Sequence, residues 1–384
     1  MLVPPLPGGE RGLGGEGMDA LYNVFKPRGP TSHDVVARLR RASGTRRIGH
    51  AGTLDPLAEG VLVVATGQAT RLIEYLSGAD KAYLAEVTLG VETDTYDAEG
   101  QVVAERSTAR VGPEEVEAAL ARFRGTIEQR PPAHSAISVG GQRLYTLARK
   151  GQSVEVPTRT VEITHLELVA WAPPVVRLHV ECSKGTYVRS LAHDLGRALG
   201  CGGHLSGLVR TRVGPFRARD ATPLEELEAL MRAGTWQGVA IPPDAAVAHL
   251  PAVTFDHTAA QGLLDGRSVS PPVPGEGERV PPSGTLGRAY DADGRFIAIV
   301  RLSHREPWGP RPSRASGPPG ARHEPPGCSS AASDSGRGAY RPVWRPEKVF
   351  RQFRAGEWKE SDAPDTGTGG SAAGHGAPGG GDDR

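Results

Sequence analysis

Five apolar residues, Val61-Leu62-Val63-Val64-Ala65, stand unbroken between Gly60 and Gly67. A strand with one wet face alternates apolar and polar residues, so an unbroken run of this kind is a strand covered on both sides. The chain must therefore supply packing layers above and below it. Residues 21–25 read as a short strand. Thr31 then offers an N-cap and Asp34 a first-turn acid. Val35, Val36, Leu39 and Ala42 follow at helical spacing, and Gly44 stops the helix. A helix is expected over residues 69–76, ending at Gly78. Tyr83, Ala85, Val87 and Leu89 alternate with Leu84, Glu86 and Thr88, as a half-buried strand requires. Pro113 opens a helix whose apolar stripe is Val116, Leu120 and Phe123, with Gly125 beyond it.

Val176, Leu178, Val180 and Cys182 repeat the strand pattern. Thr186 is then expected to cap a helix carrying Val188, Leu191, Leu195 and Leu199, closed by Gly200. Strands and helices in irregular alternation predict an α+β domain, a mixed β-sheet flanked by helices, through about residue 248. Beyond it the pattern is β-rich. Residues 284–302 read as a hairpin turning at Asp291-Ala292-Asp293-Gly294, and a strand-like pattern returns over 343–350.

The 51 glycines and 33 prolines crowd into particular stretches, which separates tails and inserts from folded parts. The division expected is a disordered tail over 1–17, a main domain over 18–248, and a small domain built from 249–304 and 342–356. A disordered insertion over 305–341 splits the small domain, and a second tail spans 357–384. The globular pattern begins abruptly at Met18, which makes Met18 an alternative to Met1 as the translation start. No apolar run approaches the ~18 residues of a membrane span. The N-terminus has no secretory apolar core. Cys182, Cys201 and Cys328 lack any C-x-x-C spacing, so neither a disulfide framework nor a zinc site is read, and a cytosolic chain is expected.

A formal net charge of +1 does not advertise a polyanionic partner, but its distribution does. Arg38, Arg40, Arg41, Arg46 and Arg47 crowd one stretch. Arg130, Arg143, Arg149, Lys150 and Arg159 crowd another, with Glu155 the only acid among them. Two such clusters predict an RNA-tracking surface. Between the first cluster and the buried strand lies a loop over 49–60. Gly49, Gly52 and Gly60 permit close approach of a large ligand to its backbone. Asp55 precedes Pro56 and is pushed towards an extended conformation. On residues alone, such an Asp-Pro is a turn.

The loop's full sequence, Gly49-His50-Ala51-Gly52-Thr53-Leu54-Asp55-Pro56-Leu57-Ala58-Glu59-Gly60-Val61-Leu62, resembles the catalytic motif of the TruB family of tRNA pseudouridine synthases. Further blocks resemble the same family in the same order: Lys26-Pro27-Arg28-Gly29-Pro30-Thr31-Ser32, then Asp80-Lys81-Ala82-Tyr83 with Leu89-Gly90 and Thr93-Asp94-Thr95. Ser135-Ala136 with Gly141, Leu144 and Tyr145 follows, then residues 182–189 and 200–205. The resemblance implies a pseudouridine synthase catalytic domain with an RNA-gripping insertion at about 130–158. It also implies a C-terminal PUA-like RNA-binding domain. The activity implied is isomerisation of the T-loop uridine at position 55 of tRNA, with base flipping and no metal or other cofactor. The partner implied is the T arm of tRNA, bound by a monomer, with no membrane and no small-molecule cofactor.

Residue by residue, the resemblance makes Asp55 the nucleophile and Arg189 the cation that pairs with it. A paired cation favours the ionised carboxylate that attack requires. Early in a helix, Arg189 opposes the helix dipole by ~0.3–1 kcal/mol, a misplacement that fits a functional role. Tyr83 matches the tyrosine packed on the target base, and its ordinary pKa near ~10 makes stacking the better reading than proton removal. His50 matches the histidine that fills the place of the flipped nucleotide, and Leu208 an apolar residue beneath the uracil. Tyr187 is placed among the RNA-binding residues, and Lys26, Arg143, Lys184 and Arg210 among phosphate contacts. His134 and Ser138 depart from the family's pattern, where an aromatic and a basic residue are usual. The alternatives are a non-catalytic RNA-binding protein or tRNA chaperone, a guide-dependent pseudouridine synthase, and an N-glycosidase releasing uracil.

Overall fold

The computed structural model describes residues 19–132, 138–139, 142–143, 157–271, 281–305 and 341–350. The tails expected over 1–17 and 357–384 lie outside these residues, as do most of the insertion near 130–158 and nearly all of the segment 305–341.

In chain order the elements are β1 (Leu21–Lys26), α1 (Ser32–Ser43), β2 (Ile48–Ala51), β3 (Ala58–Thr66), α2 (Ile73–Ser77), β4 (Lys81–Leu89), β5 (Val91–Thr93), β6 (Val102–Glu105), α3 (Pro113–Leu120) and β7 (Gly125–Gln129). The short pair β8 (Ser138–Val139) and β9 (Gln142–Arg143) follows, then β10 (Arg159–Ala172), β11 (Val175–Cys182), α4 (Val188–Ala198), β12 (Gly203–Val213), β13 (Phe216–Arg217), β14 (Thr222–Pro223) and α5 (Leu224–Ala233). The last group is β15 (Ala252–Thr254), α6 (His257–Leu264), β16 (Leu286–Tyr290), β17 (Phe296–Arg305) and β18 (Arg341–Val349).

A ten-stranded mixed sheet runs β14-β1-β3-β12-β4-β11-β10-β7, with β2 beside β3 and β13 beside β12. β3 lies antiparallel to β1 and parallel to β12, and it is buried throughout residues 60–66. Its unbroken apolar run is explained by two cores. Leu62 and Val64 face α1 and α5, packing with Val35, Leu39, Leu224 and Leu227. Val61, Val63 and Ala65 face the other way, onto Leu72, Leu76, the second-sheet residues Phe296 and Ile299, and Phe350 just beyond β18. That second sheet runs β15-β16-β17-β18, and its hairpin turns at Asp291–Gly294 as the Asp-Gly sequence demands, with Gly294 at φ 75°. The Arg71 guanidinium sits 5.1 Å from the centre of the Phe350 ring and donates to the Val349 carbonyl at 2.6 Å.

Tyr83, Ala85, Val87 and Leu89 of β4 point inward against α3 and α4, while Leu84 is exposed, as the alternation predicts. Three readings change. Residues 67–72 form a 3₁₀ turn before the short α2, in place of one helix over 69–76. Thr186 does not cap α4, because its hydroxyl donates to the Ser183 carbonyl at 3.0 Å. Tyr187 holds the N-cap position instead, clipped through its backbone to the Gln129 side chain at 2.7 and 3.0 Å. The long strands β10 and β12 were not expected. Register shifts at Ile163/His165, Leu168/Ala170, Leu205/Gly207 and Arg210/Arg212 break the alternation by which they would be read. Among the described residues, no helix is long and apolar enough to cross a membrane.

Candidate active site

The β2–β3 loop brings Asp55 over the middle of the main sheet, and buried polar contacts fix it there. Ser32 accepts from the Leu54 amide at 2.8 Å and donates to the Leu54 carbonyl at 3.0 Å. The Ala58 amide donates to the Asp55 carbonyl at 3.1 Å, and the Gly29 amide to the Pro56 carbonyl at 2.9 Å. Arg210, 1% exposed, reaches from β12 under the loop. Its guanidinium donates to the carbonyls of Gly52 (3.0 Å), Thr53 (3.2 Å) and Val61 (2.7 Å). Gly60, at φ 100°, is required because any Cβ there would strike the Arg210 backbone.

Two expected phosphate contacts are thereby reassigned. Arg210 serves the loop's carbonyls and is closed to solvent. Lys26 is fully buried, its ammonium donating to Ala58 (2.6 Å) and Pro27 (2.9 Å) carbonyls. A buried cation must be satisfied by the protein, and both find backbone oxygens in place of RNA. Burial pulls the Lys26 ammonium down to about 8, against the opposing pull of Asp55. Lys81, buried beside Gly52, is likewise drawn down to about 8 by burial, with its ammonium on the Ala79 carbonyl at 2.5 Å.

Arg189 is the second residue of α4, and its charge does face the helix's positive end. Its Nε lies 3.1 Å from Asp55 Oδ2 and its Nη1 lies 3.2 Å from Asp97 Oδ2. One guanidinium thus bridges two carboxylates of unlike surroundings. The Asp97 side chain is 5% exposed and accepts from the Thr95 hydroxyl (2.6 Å) and the Glu99 amide (3.1 Å), whereas the Asp55 side chain is 42% exposed. Only Asp55 is open to a substrate. Asp97 was missed in the sequence because Asp97-Ala98-Glu99-Gly100 reads as a surface turn, and its one signal is its place two residues after the Thr93-Asp94-Thr95 block.

Tyr83 lies on β4 directly across from Arg210 and is buried. Burial pushes its phenol above the ordinary range, with the neighbouring guanidinium pulling the other way. A neutral, buried phenol suits packing and not proton abstraction. Leu208, half-buried, pairs with Ala58 on one side and Ala85 on the other, which puts it between the Asp55 loop and the Tyr83 strand. His50 is half-buried on β2, edge-on to His33 at 5.6 Å. Burial, then His33 and Arg210, hold its imidazole below the ordinary range. Lys184 is exposed in the turn before α4. The Arg143 side chain, His134 and the Ser135-Ala136 block lie outside the described residues.

Of the first arginine cluster, Arg40, Arg41, Arg46 and Arg47 are exposed, but Arg38 is tied to Glu228 at 2.7 Å and Glu225 at 3.3 Å. One group among the described residues could hold a metal: His165, Glu167 and His179. His179 pairs with Leu84 across β11 and β4, so the group sits on the face opposite Tyr83 and takes no part in the Asp55 site.

A loop carboxylate open to solvent and braced by a buried arginine above a sheet is a candidate catalytic centre, and the stretch of chain that builds it is similar to known proteins. Residues 40–188 match the TruB family pseudouridylate synthase N-terminal domain, and residues 189–242 match the tRNA pseudouridylate synthase B C-terminal domain. The protein named tRNA pseudouridine synthase B from Dehalococcoides mccartyi is 42% identical over 76% of this chain and 95% of its own length. Its namesake from Symbiobacterium thermophilum is 52% identical over 67% of this chain and 84% of its own. Among solved structures, a Cbf5–Nop10–Gar1 complex matches with TM-score 0.57 at 28% identity, covering 74% of this chain and 79% of the matched one. The chain belongs to the TruB family of pseudouridylate synthases, which are isomerases.

Proposed function

We propose that this chain converts the T-loop uridine at position 55 of tRNA into pseudouridine, with Asp55 as nucleophile. The observation that carries the reading is the Asp55–Arg189 pair, a solvent-open carboxylate braced by a guanidinium that a second, buried carboxylate holds. The Asp55 carboxylate attacks the nucleoside and leaves again. Between those events the N1–C1′ bond breaks, uracil turns over, C5 bonds to C1′, C5 loses its proton and N1 gains one. Atoms balance and no electrons are transferred. His50 takes the vacated place in the RNA stack, Tyr83 and Leu208 pack the base, and Tyr187, Lys184 and Arg143 contact RNA. The second sheet acts as the PUA-like RNA-binding domain, built from 249–304 and 342–356, and the segment 305–341 that divides it is not required for RNA binding.

The test is release of C5 hydrogen from uridine-labelled tRNA transcript by the purified chain with no partner added. Asp55→Asn is expected to lose several orders of magnitude in rate while still binding tRNA. Full activity in that variant sinks the mechanism. The guide-dependent reading, favoured by the likeness to a solved archaeal box H/ACA sRNP Nop10–Cbf5 complex at 27% identity, predicts an inactive chain on bare transcript. Relatives named tRNA pseudouridine synthase B at 42% and 52% identity favour the stand-alone enzyme.

A further inference from the structure

Tyr96 stands between the two residues whose oxygens hold Arg189. The Asp97 carboxylate and the Thr95 carbonyl both accept from Nη1, at 3.2 and 3.5 Å. Tyr96 is also the only non-glycine among the described residues with positive φ, at 65°. A bulky side chain is disfavoured there, and Gly or Asn is the usual occupant. Something must therefore hold the ring. Its partner is the imidazole of His193, with ring centres 3.8 Å apart and planes 12° from parallel.

His193 comes four residues after Arg189, on the same face of α4 and one turn further along. The helix thus grips one loop twice, by guanidinium at Asp97 and by ring at Tyr96. His193 is 8% exposed, and its Nδ1 has no hydrogen-bond partner among the described residues. The flat contact with Tyr96 is the packing that the structure gives this buried ring. The loop's other attachment is through backbone: the Leu205 amide donates to the Tyr96 carbonyl at 3.0 Å, and the Ala98 amide to the Leu205 carbonyl at 2.9 Å. Those bonds fix the height of the loop on β12, while the stack fixes its distance from α4.

We infer that Tyr96 and His193 are a positioning pair: their stack keeps the 95–97 loop in its left-handed turn and so holds Asp97 and Arg189 in the geometry that aims Arg189 at Asp55. The inference rests on Asp55 being the nucleophile. A displacement of about 1 Å at a catalytic group can cost about 100-fold in rate, so loss of the stack is expected to slow chemistry while leaving the RNA surface intact.

Four single variants test it in the full chain. Tyr96→Asn tolerates the left-handed turn but removes the ring, and His193→Ala removes the other ring. Tyr96→Phe and His193→Phe keep both rings. The first two are expected to lower the single-turnover rate of C5-hydrogen release about 10- to 100-fold, with tRNA Kd within about twofold. The two Phe variants should stay within about twofold of the parent, and Tyr96→Asn with His193→Ala should be no slower than the slower single variant. A normal rate in Tyr96→Asn, a Phe variant as slow as its small counterpart, or equal losses of rate and tRNA binding would each overturn the proposal. Hydrogen exchange at the Arg189 Nε–H, followed by NMR, reads the same geometry without turnover. It should quicken in Tyr96→Asn and not in Tyr96→Phe, and an unchanged exchange rate refutes the pairing. An inactive parent chain refutes the nucleophile reading instead, and the exchange measurement then still decides the role of the stack.

Discussion

Asp97→Asn isolates the buried half of the arginine bridge with almost no change in shape. Asp97 uses one oxygen to accept from the Thr95 hydroxyl and the Glu99 amide, and the other to accept from Arg189 Nη1. An asparagine that keeps its oxygen on Thr95 and Glu99 turns its NH2 towards Nη1, donor against donor. Flipping the amide restores the arginine contact but opposes the Glu99 N–H. In either orientation one charge-assisted bond is lost in a site only 5% exposed. Hydrogen bonds to charged groups contribute about 1.5–3 kcal/mol. If that is the stabilisation Arg189 loses in the transition state, single-turnover C5-hydrogen release falls about 10- to 150-fold at 1.36 kcal/mol per tenfold. Asp97 is closed to solvent and touches no RNA-facing group, so tRNA affinity in a filter-binding assay should hold within about twofold. Asp97→Asn combined with Arg189→Ala should be no slower than Arg189→Ala alone, because both act through one guanidinium. A parental rate in Asp97→Asn, or a loss seen wholly in Kd, refutes the bridge as a catalytic device.

Arg189→Ala should cost more than Asp97→Asn, since it leaves the buried Asp97 without its cation, and an unchanged rate would mean the Asp55 pairing is idle. Lys26 gives a pH signature. Its folded pKa is about 8 against 10.5 ordinarily, so as pH rises through about 8 the folded enzyme loses a charge that attracts Asp55. Between about 8 and 10.5 the unfolded chain holds the extra proton, so this group's contribution to stability rises with pH over that window. The rate should therefore fall above pH 8 with no matching loss of fold by thermal melt, and Lys26→Met should be slower throughout and lack that step. Deletion of residues 305–341 should leave turnover and tRNA affinity nearly intact, and a collapse of affinity by filter binding would show the segment to be an RNA contact.

What the sequence made legible, and what it did not, divides along one physical line. Features set by local pattern were readable: the doubly buried β3, the Thr31 cap of α1, the alternation of β4, and the Asp-Gly hairpin. Features set by what crosses from one element to another were not. β12 carries Arg210 and Gly207 among its apolar residues and shifts register twice, so nothing periodic announces it, yet it runs through the middle of the sheet. The same blindness misassigned two cations. Lys26 and Arg210 look like surface charges in a chain whose other arginines crowd together, and only the folded loop shows that Gly52, Thr53, Ala58 and Val61 turn their carbonyls inward to receive them. That inward turn makes the Asp55 loop rigid without any regular structure of its own. Buried cations supply the donors that a helix or sheet would otherwise provide. A loop fixed by cations from below and braced by Arg189 from the side leaves its carboxylate with little to reorganise when substrate arrives, which is the condition under which the proposed nucleophile would be both exposed and aimed.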